Sequence, residues 1–179
     1  MNTKKIVITG GPGTGKSTII DELKKRGHIC FDEISRQVTL EARETGVEQL
    51  FLTRPLLFSQ LLLEGRAKQF NEANTYDNKT VFLDRGIPDV LAYMDYFDSE
   101  YPEDFVKLCQ NNIYDVVFVL APWEAIFQSD SVRYETFEQS KLIHENILRT
   151  YNIFNYHLVN IPFDTVAKRT DFIIDYLNL

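Results

Sequence analysis

The sequence predicts an α/β fold, a parallel sheet covered by helices on both faces, with residues 1–179 forming a single domain. Three observations predict it. Four short apolar runs, KIVIT, TVFLD, DVVFVLAP and YHLVNIP, with HICFD a shorter fifth, are bounded by turn or charged residues and read as strands buried on both faces. Helical patterns separate them. A glycine-rich segment, ITGGPGTGKST, leads from the first apolar run straight into the first helical pattern.

The composition supports one sizeable core, since 44% of the 179 residues are apolar. The net charge of -7 comes from 26 acidic and 19 basic residues spread along the chain, with no basic block or arginine-rich arm. Broad electrostatic binding to nucleic acid is therefore not expected. Cys30 and Cys109 lack metal-type spacing, and the plain reading is two reduced thiols in a chain expected to be cytoplasmic. The opening MNTKKIVITGG has no apolar run of secretory length, roughly 7 to 15 residues. PLLFSQLLLEG is interrupted by Ser59 and Gln60 and runs out at Glu64, which suits a buried helix and excludes a membrane span of about 20 residues.

After the first strand, Gly10, Gly15, Lys16 and Ser17 satisfy G-x-x-x-x-G-K-[ST] in the strand-to-helix context that this pattern needs. Gly11, Gly13, Thr14, Gly15, Lys16, Ser17 and Thr18 are the residues expected to bind nucleotide. Backbone amides freed by glycine, together with the positive end of the helix, attract phosphate oxygens. Lys16 is expected on the β- and γ-phosphates of ATP or GTP, and the Ser17 hydroxyl on Mg2+.

The second strand closes in HICFDEISRQV. A phosphotransferase needs an acid near the acceptor hydroxyl, and either Asp32 or Glu33 suits that role. Glu33 is preferred because Arg36, three residues on, can hold its carboxylate or share the acceptor's contacts. The plainer alternative is a pair of helix-capping acids with an exposed ion pair. Residues 33–79 exceed an ordinary crossover of roughly 10–12 residues, so an added helical subregion on the acceptor side is expected there.

The third strand ends in TVFLDRGIPD. Asp84 is expected beside the metal, and Arg85 is expected to project over the cleft toward phosphate or acceptor. Alternatively, Asp84 satisfies amides of the helix begun by Pro88, with Arg85 as its surface partner. Asp89 reads as a first-turn helix acid. After the fourth strand, residues 123–139 are a lid candidate in which Arg133 can neutralise charge during transfer, or simply pair with Asp130 or Glu135. Ile143, Ile147, Tyr151 and Phe154 then set one stripe on a helix from about Glu135 to Phe154, and Ile173, Tyr176 and Leu177 set another on a final helix. His28, His144 and His157 are too scattered to bind metal together, and Gln60 reads as a solvated helix position.

GGPGTGKST, FDEISR, FLDRGIPD and SDSVRYE together resemble the AAA-domain family of small P-loop ATPases or kinases that includes the nicotinamide riboside kinase domain of bacterial NAD-synthesis regulators. The resemblance runs from about Lys4 to Leu177. It implies a three-layer α/β/α P-loop fold with a five-stranded sheet in the order 2-3-1-4-5. It also implies Glu33 and Arg36 near the acceptor, Asp84 near metal, Arg85 near substrate and Arg133 in the lid. With only Arg133 and Lys141 as lid cations, a neutral or singly charged acceptor is favoured over a nucleotide. The expected function is Mg2+- and ATP-dependent phosphoryl transfer to a small-molecule hydroxyl, with a nucleoside-like acceptor as one candidate. The alternative is an ATP- or GTP-binding switch with slow hydrolysis.

Overall fold

Every residue of the first strand, β1 (Lys4–Gly10), is buried except Lys4, because β1 lies at the centre of the sheet and helices cover both of its faces. The computed structural model describes residues 3–44, 46–47, 49–127 and 135–179. With β2 (Ile29–Phe31), β3 (Thr80–Asp84), β4 (Val116–Leu120) and β5 (Leu158–Asn160), the sheet has the order β2-β3-β1-β4-β5, and all of its pairings are parallel. Ile6 sits opposite Phe82 on one side and Val116 on the other. This order is the one the family resemblance implies.

Side chains alternate across the sheet and so feed two separate cores. Ile6, Ile8, Phe82 and Phe118 pack on one face with Ile19, Ile20 and Leu23 of α1 (Lys16–Lys25) and Ile173 and Leu177 of α8 (Val166–Leu177). Val7, Leu83, Val117 and Val119 pack on the other with α5 (Pro88–Tyr96), α6 (Glu103–Asn111) and α7 (Phe137–Ile153).

The segment between β2 and β3 is helical as expected, with α2 (Ile34–Glu44), α3 (Leu50–Thr53) and α4 (Pro55–Ala73). The PLLFSQLLLEG stretch departs from expectation. Its helix continues to Ala73 and is only partly buried: Leu62 and Leu63 face the core, whereas Leu56 and Leu57 are exposed. Gly65 permits close packing here, because a Cβ at that position would lie 2.6 Å from Ile34 Cγ2.

The β4 and β5 ladders are shorter than their apolar runs, their last pairs being Leu120 with Gly10 and Asn160 with Val119. Ile161 still donates its amide to Val119 O at 3.0 Å. The long helix α7 starts at Phe137 because Thr136 caps it, accepting from the Gln139 amide while the Gln139 side chain accepts from the Thr136 amide. Ile143, Ile147 and Tyr151 are fully buried as the stripe requires. On α8, Tyr176 is instead half exposed and meets Phe118 edge-on at 5.3 Å. Among the described residues, no helix is long and apolar enough to cross a membrane.

Candidate active site

The glycine-rich loop joins β1 to α1 in a conformation that side chains oppose. Gly10 has φ 151°, and a Cβ there would sit 2.5 Å from Leu120 O. Gly13 has φ 72° and lies against the Phe127 ring, 2.5 Å from where its Cβ would be. Gly15 precedes α1 and no side chain caps it, so the first amides of that helix remain available to an anion. Lys16 is buried and its Nζ donates to Gly11 O at 2.9 Å. Thr14 Oγ1 donates to the same carbonyl at 2.9 Å. Ser17 and Thr18 are exposed in the first turn of α1, with Thr18 Oγ1 donating to Gly15 O. Burial, then the nearby Arg85, pull the Lys16 ammonium down to about 8, against the pull of Asp84, Glu33 and Asp89.

Those neighbours form a charged cluster at the carboxyl ends of β2 and β3. Arg85 follows β3 with φ 73°, a left-handed conformation that a non-glycine residue adopts only when its surroundings hold it there. Its own bonds do so. Its amide donates to Ile8 O at 3.0 Å, Nε to Glu33 Oε2 at 2.7 Å, Nη1 to Asp89 Oδ1 at 3.0 Å and Nη2 to Tyr93 Oη at 3.0 Å. Arg66, from α4, donates Nη2 to Glu33 Oε1 at 2.9 Å and Nη1 to Gly86 O at 3.1 Å. Burial works to raise the Glu33 carboxyl, but the Arg85 and Arg66 guanidiniums outweigh it and hold it below the usual carboxylate range.

Asp89 is fully buried and accepts from Thr9 Oγ1, the Gly86 amide at 2.9 Å and Tyr151 Oη at 2.6 Å, in addition to Arg85. It is the first-turn acid that the sequence suggests, and it also locks α5 and α7 to β1. Asp84 differs from it. Its Oδ1 is buried and has no partner among the described residues, and burial, then the Glu33 charge, push its carboxyl up to about 6. That lone oxygen and the exposed Ser17 hydroxyl suit a hard cation whose remaining ligands are phosphate oxygens and water. No three His, Cys, Asp or Glu side chains among the described residues are grouped to hold a metal unaided.

The structure thus gathers Lys16, Glu33, Asp84 and Arg85 at one end of the sheet. Two expectations need correction. Arg36 is exposed and does not hold Glu33, because both oxygens of that carboxylate are taken by Arg66 and Arg85. Asp32 turns away to pair with Lys24, its side chain 76% exposed. Arg133 and Asp130 lie outside the described residues. Trp123 stacks on Phe163 with ring centres 5.1 Å apart, and Gln60 is exposed and bonded to Glu64. Cys30 and Cys109 are both free thiols.

Sequence reasoning missed Arg66 and Arg169, yet both lie on apolar stripes. Leu62, Arg66, Gln69 and Ala73 recur at helical spacing on the buried face of α4, and Arg169, Ile173 and Leu177 do so on α8. A cation in such a register is a signal, because burying it requires partners.

A family model described as an AAA domain matches residues 5–169. No curated protein matches the chain. Among solved structures, the chain is similar to deoxyadenosine kinase from M. mycoides with dCMP and dCDP bound, at 21% identity and a TM-score of 0.69, over 97% of this chain and 98% of that one. It is similar to NadR protein in complex with NR at 18% identity and a TM-score of 0.71, over 99% of this chain but 51% of that one. Thymidylate kinase from Ehrlichia chaffeensis matches at 16% identity and a TM-score of 0.61, over 99% of this chain and 100% of that one. These likenesses are ones of fold, a five-stranded parallel sheet with helices on both sides.

Proposed function

The chain belongs to the AAA-domain family, and from that membership we propose that it transfers the γ-phosphoryl group of ATP or GTP, with Mg2+, to a hydroxyl of a small molecule. The observation that carries this reading is Glu33, fixed by Arg66 and Arg85 beside the phosphate loop. A loop that only sensed a nucleotide would need Lys16 and the backbone amides; it would not need a carboxylate held by two buried guanidiniums next to them. The solved relatives are named as kinases of a nucleoside and of nucleotides, which supports a nucleoside-like acceptor for this chain.

In this reading the loop amides and Lys16 hold the β- and γ-phosphates. Ser17 and Asp84 would hold Mg2+, which would supply positive charge to the phosphates. Glu33 orients the acceptor hydroxyl. Its depressed pKa makes it a weak base, which suits a loose transition state in which the proton moves late. Arg85 is fully engaged within the cluster and acts mainly by setting Glu33. Arg133 is proposed as a lid cation that stabilises charge during transfer. The domain is proposed as a single unit, with α2, α3 and α4 forming the acceptor side.

The test is nucleotide turnover with Mg2+-ATP or Mg2+-GTP, alone and against a panel of nucleosides and other small hydroxyl compounds, with mass detection of product. A phosphorylated acceptor supports the proposal and names the acceptor class. Tight binding with slow hydrolysis that no acceptor accelerates would replace it with a nucleotide-dependent switch.

A further inference from the structure

Arg169 lies on α8, on the opposite face of the sheet from the Glu33 cluster, and its side chain is almost completely buried. Among the described residues it forms no ion pair, and its Nε has no hydrogen-bond partner. A guanidinium remains charged even where burial disfavours the charge, so a buried one without a carboxylate must be compensated in another way.

Its contacts show where. Nη2 donates to Thr14 O at 3.1 Å, and Nη1 lies 3.0 Å from the place a Cβ on Gly15 would occupy. The guanidinium is 5.8 Å from the centre of the Trp123 ring, which is itself stacked on Phe163. The first two contacts meet at the peptide unit joining Thr14 to Gly15, and the Trp123 ring lies beside the same guanidinium.

In a trans peptide the C=O and the following N–H point in opposite directions. A donor that holds Thr14 C=O toward α8 therefore turns Gly15 N–H away from α8. Gly15, at φ 86°, has no side chain to resist rotation of this unit. We propose that Arg169 is a positioning residue of the phosphate loop: it fixes the Thr14–Gly15 peptide so that the Gly15 N–H faces the bound polyphosphate, and it contributes behind the loop a positive charge that no carboxylate among the described residues pairs with. This inference rests on the nucleotide-binding reading of that loop.

Arg169→Lys keeps a cation but loses the planar fork. The dissociation constants for Mg2+-ATP and for inorganic tripolyphosphate with Mg2+ are expected to rise about tenfold each. In turnover the nucleotide KM rises while the acceptor KM does not, and the melting temperature of the ligand-free chain stays near that of the wild type. A variant that folds and binds tripolyphosphate as tightly as the wild type overturns the proposal. If Arg169→Lys does not fold, Trp123→Leu loosens the same guanidinium from one side without touching the loop. It is expected to weaken tripolyphosphate about threefold, and no change would likewise overturn the proposal. A wild-type chain that binds neither ATP, GTP nor tripolyphosphate would overturn the nucleotide reading itself, an outcome distinct from a wild type that binds and a variant that binds equally well.

Discussion

Lys16 carries its charge where burial makes that charge costly, with a pKa of about 8 against an ordinary 10.5. The sign follows from linkage. The folded chain disfavours the cation, so the stability this group contributes is whole above about pH 10.5 and is lost as pH falls toward about 8. A polyphosphate favours the cation and reverses that preference. Nucleotide binding at about pH 9 should therefore take up a proton, and affinity should decline as pH rises past about 8. Calorimetry in buffers of different ionisation enthalpy measures the uptake; heats independent of buffer would contradict it. Glu33→Gln should slow transfer while leaving nucleotide affinity nearly intact, and unchanged turnover would remove Glu33 from the acceptor side. Arg133→Ala should lower turnover by about 10³-fold with little change in nucleotide affinity if it stabilises transferring charge. A variant altered only in nucleotide affinity would rule that role out. The glycine-rich strand-to-helix turn was legible in the sequence because its conformation depends on a fixed local spacing. The partners of Glu33 were not, since Arg66 and Arg85 reach it from 33 and 52 residues away.

At the scale of elements, apolar runs marked every strand, because a strand buried on both faces needs apolar residues on both. Their ends were less clear, since an apolar residue such as Ile161 can be buried beyond the last ladder pair. The α4 helix shows the opposite limit. Its apolar stretch predicted burial, but the rest of the helix holds its buried face with Arg66 and Gln69, residues that hydropathy counts as polar. Gly65 offers a test in which two effects oppose each other. Gly65→Ala gains about 1 kcal/mol of helix propensity, while the added methyl, 2.6 Å from Ile34 Cγ2, costs typically 1–3 kcal/mol of overpacking. The clash should prevail, lowering the melting temperature, and a more stable variant would show that α2 yields easily.

Across the whole molecule, the number of strands is legible from the runs, whereas their order came from family resemblance, since periodicity says nothing about which strand lies next to which. That order places α7 and α8 on opposite faces of the sheet, and each reaches the same loop. Ser140 Oγ, on α7, donates to Pro12 O at 2.8 Å, and Arg169 holds Thr14 O from the other face. Nucleotide should accordingly slow amide exchange in both helices, and at a hundred times its dissociation constant it should add about 2.7 kcal/mol of stability. Protection confined to one helix would argue against a loop held from both sides. The Trp123–Phe163 stack has an optical consequence. Trp123 is the chain's one tryptophan, and it sits under the guanidinium that grips the loop. Its emission should therefore change when nucleotide binds the loop, a signal readable without a dye or a label, and unchanged emission at saturating nucleotide would contradict that coupling.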